Sequence, residues 1–187
     1  MASFAWVTGC TTPVTVGVSP GTILSTVSTV IANLPVSTTT PERRGGGSSR
    51  GARIPPSPPP TSAAVGILRT ADAYRGVPYV WGGNTPHGFD CSGFTKFVFA
   101  KHGIALPRTS REQSRVGRAV TADFRALRPG DLMFFAERGE AISHVAIYAG
   151  NGEIIHSSSS NGGVGYTDLN SGGDWFVVNF VAARRVD

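Results

Sequence analysis

Phe89-Asp90-Cys91-Ser92-Gly93-Phe94 joins a glycine-rich loop to the apolar run Phe94 to Ala100. Phe94, Phe97, Val98 and Lys101 recur at helical spacing, so the stretch reads as the first turn of a buried helix that Gly103 ends. A cysteine at such a junction has two chemical advantages. The unpaired amides of a first helical turn favour a thiolate, and a loop-helix junction is open to substrate. A free cysteine is otherwise most often a small buried hydrophobe, so Cys91 gains weight only from partners elsewhere in the chain.

Upstream, Val77-Pro78-Tyr79-Val80-Trp81-Gly82-Gly83 is an extended piece with Pro78 where a strand start or edge tolerates it, and Asn84 to Gly88 is a loop. Before that, Val65, Leu68, Ala71 and Tyr74 are spaced by three, as in a short helix capped by Ser62. Downstream, Thr109-Ser110-Arg111-Glu112 reads as a capping box opening another helix. Leu132 to Ala136, Ser143 to Tyr148, Glu153 to His156 and Phe176 to Ala182 then read as strands, and Gly150-Asn151-Gly152 separates the middle two at hairpin distance. Helices first and strands afterwards predict an α+β domain, with the helix of Cys91 lying against a small antiparallel sheet.

The hairpin brings two histidines into play. Around a tight turn centred near Asn151, opposing residue numbers sum to about 300 or 302, which sets His144 opposite Ile155 to Ser158 and near His156. His87 falls in a loop and His102 near a helix end, where solvated or C-capping roles account for them. Cysteine catalysis needs a thiolate, an imidazole that shuttles its proton and a polar group that orients the imidazole. Cys91, His144 and His156 supply one of each. Zinc is the competing reading of such a trio, but the chain has no Cys-x-x-Cys, no His-x-x-x-His and no neighbouring carboxylate pattern, so neither metal nor cofactor is expected.

The 187 residues hold one domain of ordinary size plus additional sequence. Thirteen of residues 11–40 are Ser or Thr, so residues 1–40 read as a weakly ordered segment. Residues 41–61 combine a Gly/Ser piece with Ile54-Pro55-Pro56-Ser57-Pro58-Pro59-Pro60 and read as a linker, leaving residues 62–187 as the domain. Beyond residue 64 there are thirteen basic against eleven acidic side chains, which does not make the basic face of a nucleic-acid binder. No run of eighteen apolar residues marks a membrane span. Val7-Thr8-Gly9-Cys10 resembles a lipoprotein cleavage box. Met1 to Trp6 is too short and lacks the basic start of a signal peptide, so Cys10 is read as chance, and no disulfide to Cys91 is expected.

Six separated pieces, in order, carry a family resemblance: Pro78-Tyr79-Val80-Trp81-Gly82-Gly83, Asp90-Cys91-Ser92-Gly93-Phe94, Leu106-Pro107-Arg108-Thr109-Ser110 with Gln113, Pro129-Gly130-Asp131-Leu132, Ser143-His144-Val145-Ala146-Ile147-Tyr148 and Ile155-His156-Ser157. From about residue 65 onward the chain resembles the NlpC/P60 family of papain-like cysteine peptidases. The resemblance implies that Cys91 is the nucleophile, His144 the base and later acid, and His156 the orienting group. It also implies a role for Tyr79 at the oxyanion, recognition of the start of a stem peptide by Asp90 and Ser92, and cleavage between γ-D-glutamate and a diamino acid in peptidoglycan stem peptides or muropeptides. A secreted or envelope-associated location is expected with it.

The residues themselves carry plainer readings: an N-cap for Asp90, a first-turn filler for Ser92 and core packing for Trp81. A helix N-terminus and an imidazolium together predict a Cys91 thiol lowered to about 4–7. Two other functions fit the same scaffold. One is a muropeptide-binding or assembly module without activity, against which the intact trio argues. The other is an acyltransferase, which would need an apolar acyl tunnel.

Overall fold

The computed structural model describes residues 53–138 and 140–186; the Ser/Thr-rich segment, Cys10 and the first part of the linker lie outside the described residues. Helix α1 (Ser62–Asp72) begins one residue earlier than expected for its cap, because the Thr61 hydroxyl, not Ser62, accepts from the Ala64 amide at 3.2 Å. A two-stranded hairpin, β1 (Asn84–Thr85) and β2 (Gly88–Phe89), leads into α2 (Cys91–Ala100). The short α3 (Ser110–Gln113) carries the expected capping box, with Thr109 and Glu112 each bonding the other's backbone amide.

The remaining chain forms β3 (Arg118–Val120), β4 (Leu132–Phe135), β5 (His144–Gly150), β6 (Glu153–Ser158), β7 (Gly163–Asp168), α4 (Asp174–Asn179) and β8 (Phe180–Arg185). The six strands pair antiparallel in the order β3-β8-β4-β5-β6-β7. Ile147 faces Ile155 and Tyr148 faces Ile154, the register expected of the Gly150-Asn151-Gly152 turn. Asn151 takes a φ of 52° there, which an Asn tolerates better than most residues.

Several elements depart from the sequence reading: β1 and β2 pair across the expected loop, and β3 matches none of the expected strands. Phe176 to Asn179, expected as strand, is helical. The Val177 amide bonds the Gly173 carbonyl at 2.9 Å and the Asn179 side chain bonds the Trp175 carbonyl, so the chain turns before it extends into β8. Gly173 permits this start, since a Cβ there would lie 2.6 Å from Leu169 Cα. Strand β7 was not expected at all, because glycines at 163 and 165 weaken its pattern; six paired positions with β6 hold it.

Both faces of the central strands β4, β5 and β6 are buried. On one, Leu132, Phe134, Val145, Ile147 and Ile155 pack with Phe94 and Val98 of α2. On the other, Met133, Phe135, Ala146, Tyr148 and Ile154 pack with Leu127, Leu169 and Ile54. This explains why β4 is apolar at every position.

Ile54 belongs to the proline-rich piece, and that piece is tied down. The Ile54 amide donates to Asn170 Oδ1 at 2.9 Å, and Ser57 Oγ meets Tyr148 Oη at 2.7 Å and the Asn151 amide at 2.9 Å. A chain starting at Ser62 is therefore expected to lose about 2–4 kcal/mol from lost burial and unmet hydrogen bonds. Thermal unfolding of the two lengths checks this, and equal Tm values would contradict it.

Candidate active site

Asp90 organises the start of α2. Its Oδ1 accepts from the Gly93 amide at 2.6 Å, the N-cap bond, and its Oδ2 accepts from the Gly82 amide at 3.1 Å. Arg108 closes on the same carboxylate with both guanidinium nitrogens, and Nη1 also donates to Ser92 Oγ at 3.0 Å. Ser92 in turn donates to Asp90 Oδ1 at 3.2 Å. Burial alone would raise the Asp90 carboxyl, but the Arg108, Gly93 and Ser92 bonds outweigh it and hold the group below its ordinary value.

The helix start also meets the Gly82-Gly83 turn backbone to backbone: a Cβ on Gly93 would sit 2.0 Å from the Gly83 carbonyl oxygen. Gln113, fully buried, braces the helix from the other side. Its Nε2 donates to the Ser92 and Pro107 carbonyls, and its Oε1 accepts from Thr95.

Cys91 thus occupies the first helical position of a rigid turn, half-buried and free. Its Sγ lies 3.9 Å from the Ser143 carbonyl oxygen, a weak contact that places it beside the residue preceding His144. The Ser157 hydroxyl donates to the Phe89 carbonyl at 2.8 Å and fastens β6 to the segment entering α2. His144 Nε2 and His156 Nδ1 stand 2.8 Å apart, the expected pair across the hairpin. Beyond it, His156 Nε2 lies 3.0 Å from Thr167 Oγ1 and 3.2 Å from Asn161 Nδ2.

Aromatic rings close over the imidazoles. Phe176 of α4 packs edge-on to His156 at a centroid distance of 5.0 Å and lies 5.7 Å from His144, while Phe135 lies 5.9 Å from His144. His156 has no exposed surface. Burial lowers His144 to about 4, and burial together with the neighbouring His144 lowers His156 to about 3, so both rings are neutral at pH 7.

The thiol departs from its sequence-based expectation. Burial, with a further push from the Asp90 carboxylate, raises Cys91 above its ordinary value of 9.0, although the amides of Val145, Ser92 and Cys91 itself pull the other way. At pH 7 the thiol and both imidazoles therefore rest neutral. The alkylation rate of Cys91 is expected to keep climbing as pH rises past 9, because thiolate accumulates only there. A rate that levels off by pH 6 would contradict this.

Tyr79 lies within electrostatic reach of Cys91. Its amide donates to the Gly162 carbonyl at 3.1 Å, and its phenol is raised by burial and then by the Cys91 and Asp90 charges. Trp81, expected in the core, is 88% exposed. Phe89, Phe94 and Phe97 with Tyr74 already fill the space beneath, and the Val80–Gly83 turn projects the indole outward. The six residues singled out from sequence, Tyr79, Asp90, Cys91, Ser92, His144 and His156, thus form one neighbourhood. Arg108, Asn161, Thr167 and Phe176 were not singled out there. Only Arg108 lay within a recognised motif, and the others reach the site through β7, its turn and α4. Among the described residues no group of three or more His, Cys, Asp or Glu has a metal-holding arrangement.

Comparison with known proteins points the same way. A γ-D-glutamyl-L-lysine dipeptidyl-peptidase of Bacillus cereus is 43% identical over 127 residues, covering 67% of this chain and 37% of that protein. A bifunctional muramidase/DL-endopeptidase of Bacillus subtilis is 45% identical over 109 residues, 57% of this chain and 32% of its own length. The chain thus spans well under two thirds of either relative. The crystal structure of the NlpC/P60 domain of the peptidoglycan hydrolase SagA, 32% identical, superposes with a TM-score of 0.55 over 66% of this chain and 98% of that domain. Residues 76–183, more than half the chain and including every residue of the Cys91, His144 and His156 cluster, match the NlpC/P60 family, and the chain belongs to it.

Proposed function

We propose that this chain is a cysteine peptidase that hydrolyses peptidoglycan stem peptides at the bond between γ-D-glutamate and a diamino acid. The observation that carries the chemistry is a thiol on the first turn of α2, in contact with the residue preceding His144, together with the hydrogen-bonded pair of His144 and His156. The names of the relatives carry the choice of bond.

The reaction uses the protein's own groups and water. As Cys91 Sγ attacks the amide carbonyl carbon, its proton passes to His144 and the carbonyl electron pair moves onto oxygen. The Cys91 amide, which as a first-turn N–H has no partner within the helix, and the Tyr79 hydroxyl stabilise that oxyanion. The tetrahedral species collapses, the C–N bond breaks, and the His144 imidazolium gives its proton to the leaving amine. Water then attacks the thioester while His144 takes its proton, and release of the carboxylate restores the thiol. Because thiol and imidazole start neutral, proton transfer accompanies attack instead of preceding it.

Asp90, Ser92 and Arg108 line the approach on the helix side and meet the start of the stem peptide. The Asp90–Arg108 pair is neutral overall, so recognition there is by directed hydrogen bonds. No helix among the described residues is long and apolar enough to cross a membrane. The substrate places the protein's work at the cell envelope or outside it.

The test is amine release from L-Ala-γ-D-Glu-L-Lys by a Cys10→Ala chain before and after treatment with iodoacetamide. Loss of release when Cys91 is alkylated supports the proposal. Undiminished release from fully alkylated protein would overturn it.

A further inference from the structure

Neutral imidazoles hydrogen-bonded in series have a proton-placement problem. Each ring has one N–H and one lone pair. Only one proton lies between His144 Nε2 and His156 Nδ1. If His156 Nδ1 holds it, the His144 proton sits on Nδ1, and His144 has no lone pair left for a thiol proton. If His144 Nε2 holds it, His144 Nδ1 is a free base and the His156 proton must sit on Nε2. What faces His156 Nε2 therefore decides whether His144 is competent.

Two groups face it. Asn161 Nδ2, at 3.2 Å, is an amide nitrogen, which only donates and so favours the incompetent arrangement. Thr167 Oγ1, at 3.0 Å, is a hydroxyl oxygen that accepts an N–H. Asn161 Nδ2 also reaches Thr167 Oγ1, at 3.4 Å, so the hydroxyl oxygen takes donors from both neighbours and its own hydrogen turns away from the ring. The register makes the contact possible. His156 pairs with Gly165 and Ile154 with Thr167, so the position opposite His156 has no side chain and the ring reaches diagonally to Thr167. Water does not readily replace the hydroxyl, because His156 has no exposed surface.

We propose that Thr167 is a positioning residue whose hydroxyl holds the proton of His156 on Nε2 and thereby leaves His144 Nδ1 free to take the Cys91 proton. The inference rests on the peptidase reading above and extends its relay from three residues to four, Cys91, His144, His156 and Thr167. Thr167 does not touch the substrate or the thiol; it acts through His156.

Thr167→Val keeps the side-chain shape and removes the acceptor. Its expected result is a fall in kcat of about tenfold or more with KM unchanged, since the lost interaction concerns proton transfer and not binding. Thr167→Ser is expected to restore kcat. Nitrogen-15 NMR of the histidine rings in the resting protein reads the same point without turnover. The His156 proton should sit on Nε2 in the natural chain and in Thr167→Ser, and on Nδ1 in Thr167→Val. Thermal unfolding of each variant separates a folding loss from a proton-placement loss. If Thr167→Val keeps the natural kcat, or loses it while the His156 proton stays on Nε2, the inference is overturned. Failure of the peptidase reading looks different: Cys91→Ala would then turn over substrate whatever stands at 167.

Discussion

Replacing Cys91 by Ala should lower turnover of a soluble muropeptide by at least about 10⁴-fold, the scale on which nucleophile removal acts in triad hydrolases. The folded state should hardly notice. Cys91 is half-buried at the lip of α2, and the turn is fixed by bonds it does not make: Asp90 to the Gly93 amide, Arg108 to Asp90, and Gln113 to the Ser92 carbonyl. His144→Ala should cost a comparable factor, and the double variant little more than either single one, because nucleophile and base act as a unit. Additive losses would mean that the two residues serve separate steps. Steady-state kinetics on the three variants, with Tm as the folding control, decides it.

The largest expected effect on stability lies away from the thiol. Asp131 is 1% exposed, and its carboxylate takes two hydrogen bonds from Arg185, each 2.6 Å long, and one from the Arg128 amide at 2.8 Å. Its backbone carbonyl accepts from the Tyr148 amide, so the turn before β4 is coupled to the strand that begins with His144. Asp131→Asn removes the charge opposite a guanidinium whose side chain is only 15% exposed, and should cost about 3–5 kcal/mol. Exchanging both partners for apolar residues, Asp131→Leu with Arg185→Met, should recover much of that loss. Denaturant unfolding measures both. A single variant as stable as the natural chain would show that the pair contributes nothing.

What could be read from the sequence was local. The start of α2 was legible because Asp90, three residues before Gly93, is an N-cap by chemistry, and Thr109 with Glu112 is a capping box by spacing. The His144 and His156 pairing followed from one two-glycine turn, since antiparallel register is arithmetic once the turn is placed. What was not legible depends on distant partners. Gly163 and Gly165 conceal β7, and with it the Thr167 hydroxyl on His156. Val177 and Val178 suggest a strand where Gly173 and Asn179 set a helix, which hid the Phe176 ring over the imidazoles. The thiol's pKa also depends on what lies distant in sequence. Sequence reveals the helix dipole that lowers its pKa but not the burial that raises it, and burial is the larger influence.

The most direct test of the proposed cysteine mechanism is which bond is cleaved only when Cys91 is present. Purified peptidoglycan digested with the natural chain and with Cys91→Ala, then resolved by mass spectrometry, should yield from the natural chain alone fragments ending in a free γ-D-glutamate carboxyl and partners beginning with a free diamino-acid amine. Identical fragments from both proteins, or cleavage only at other bonds, would contradict it.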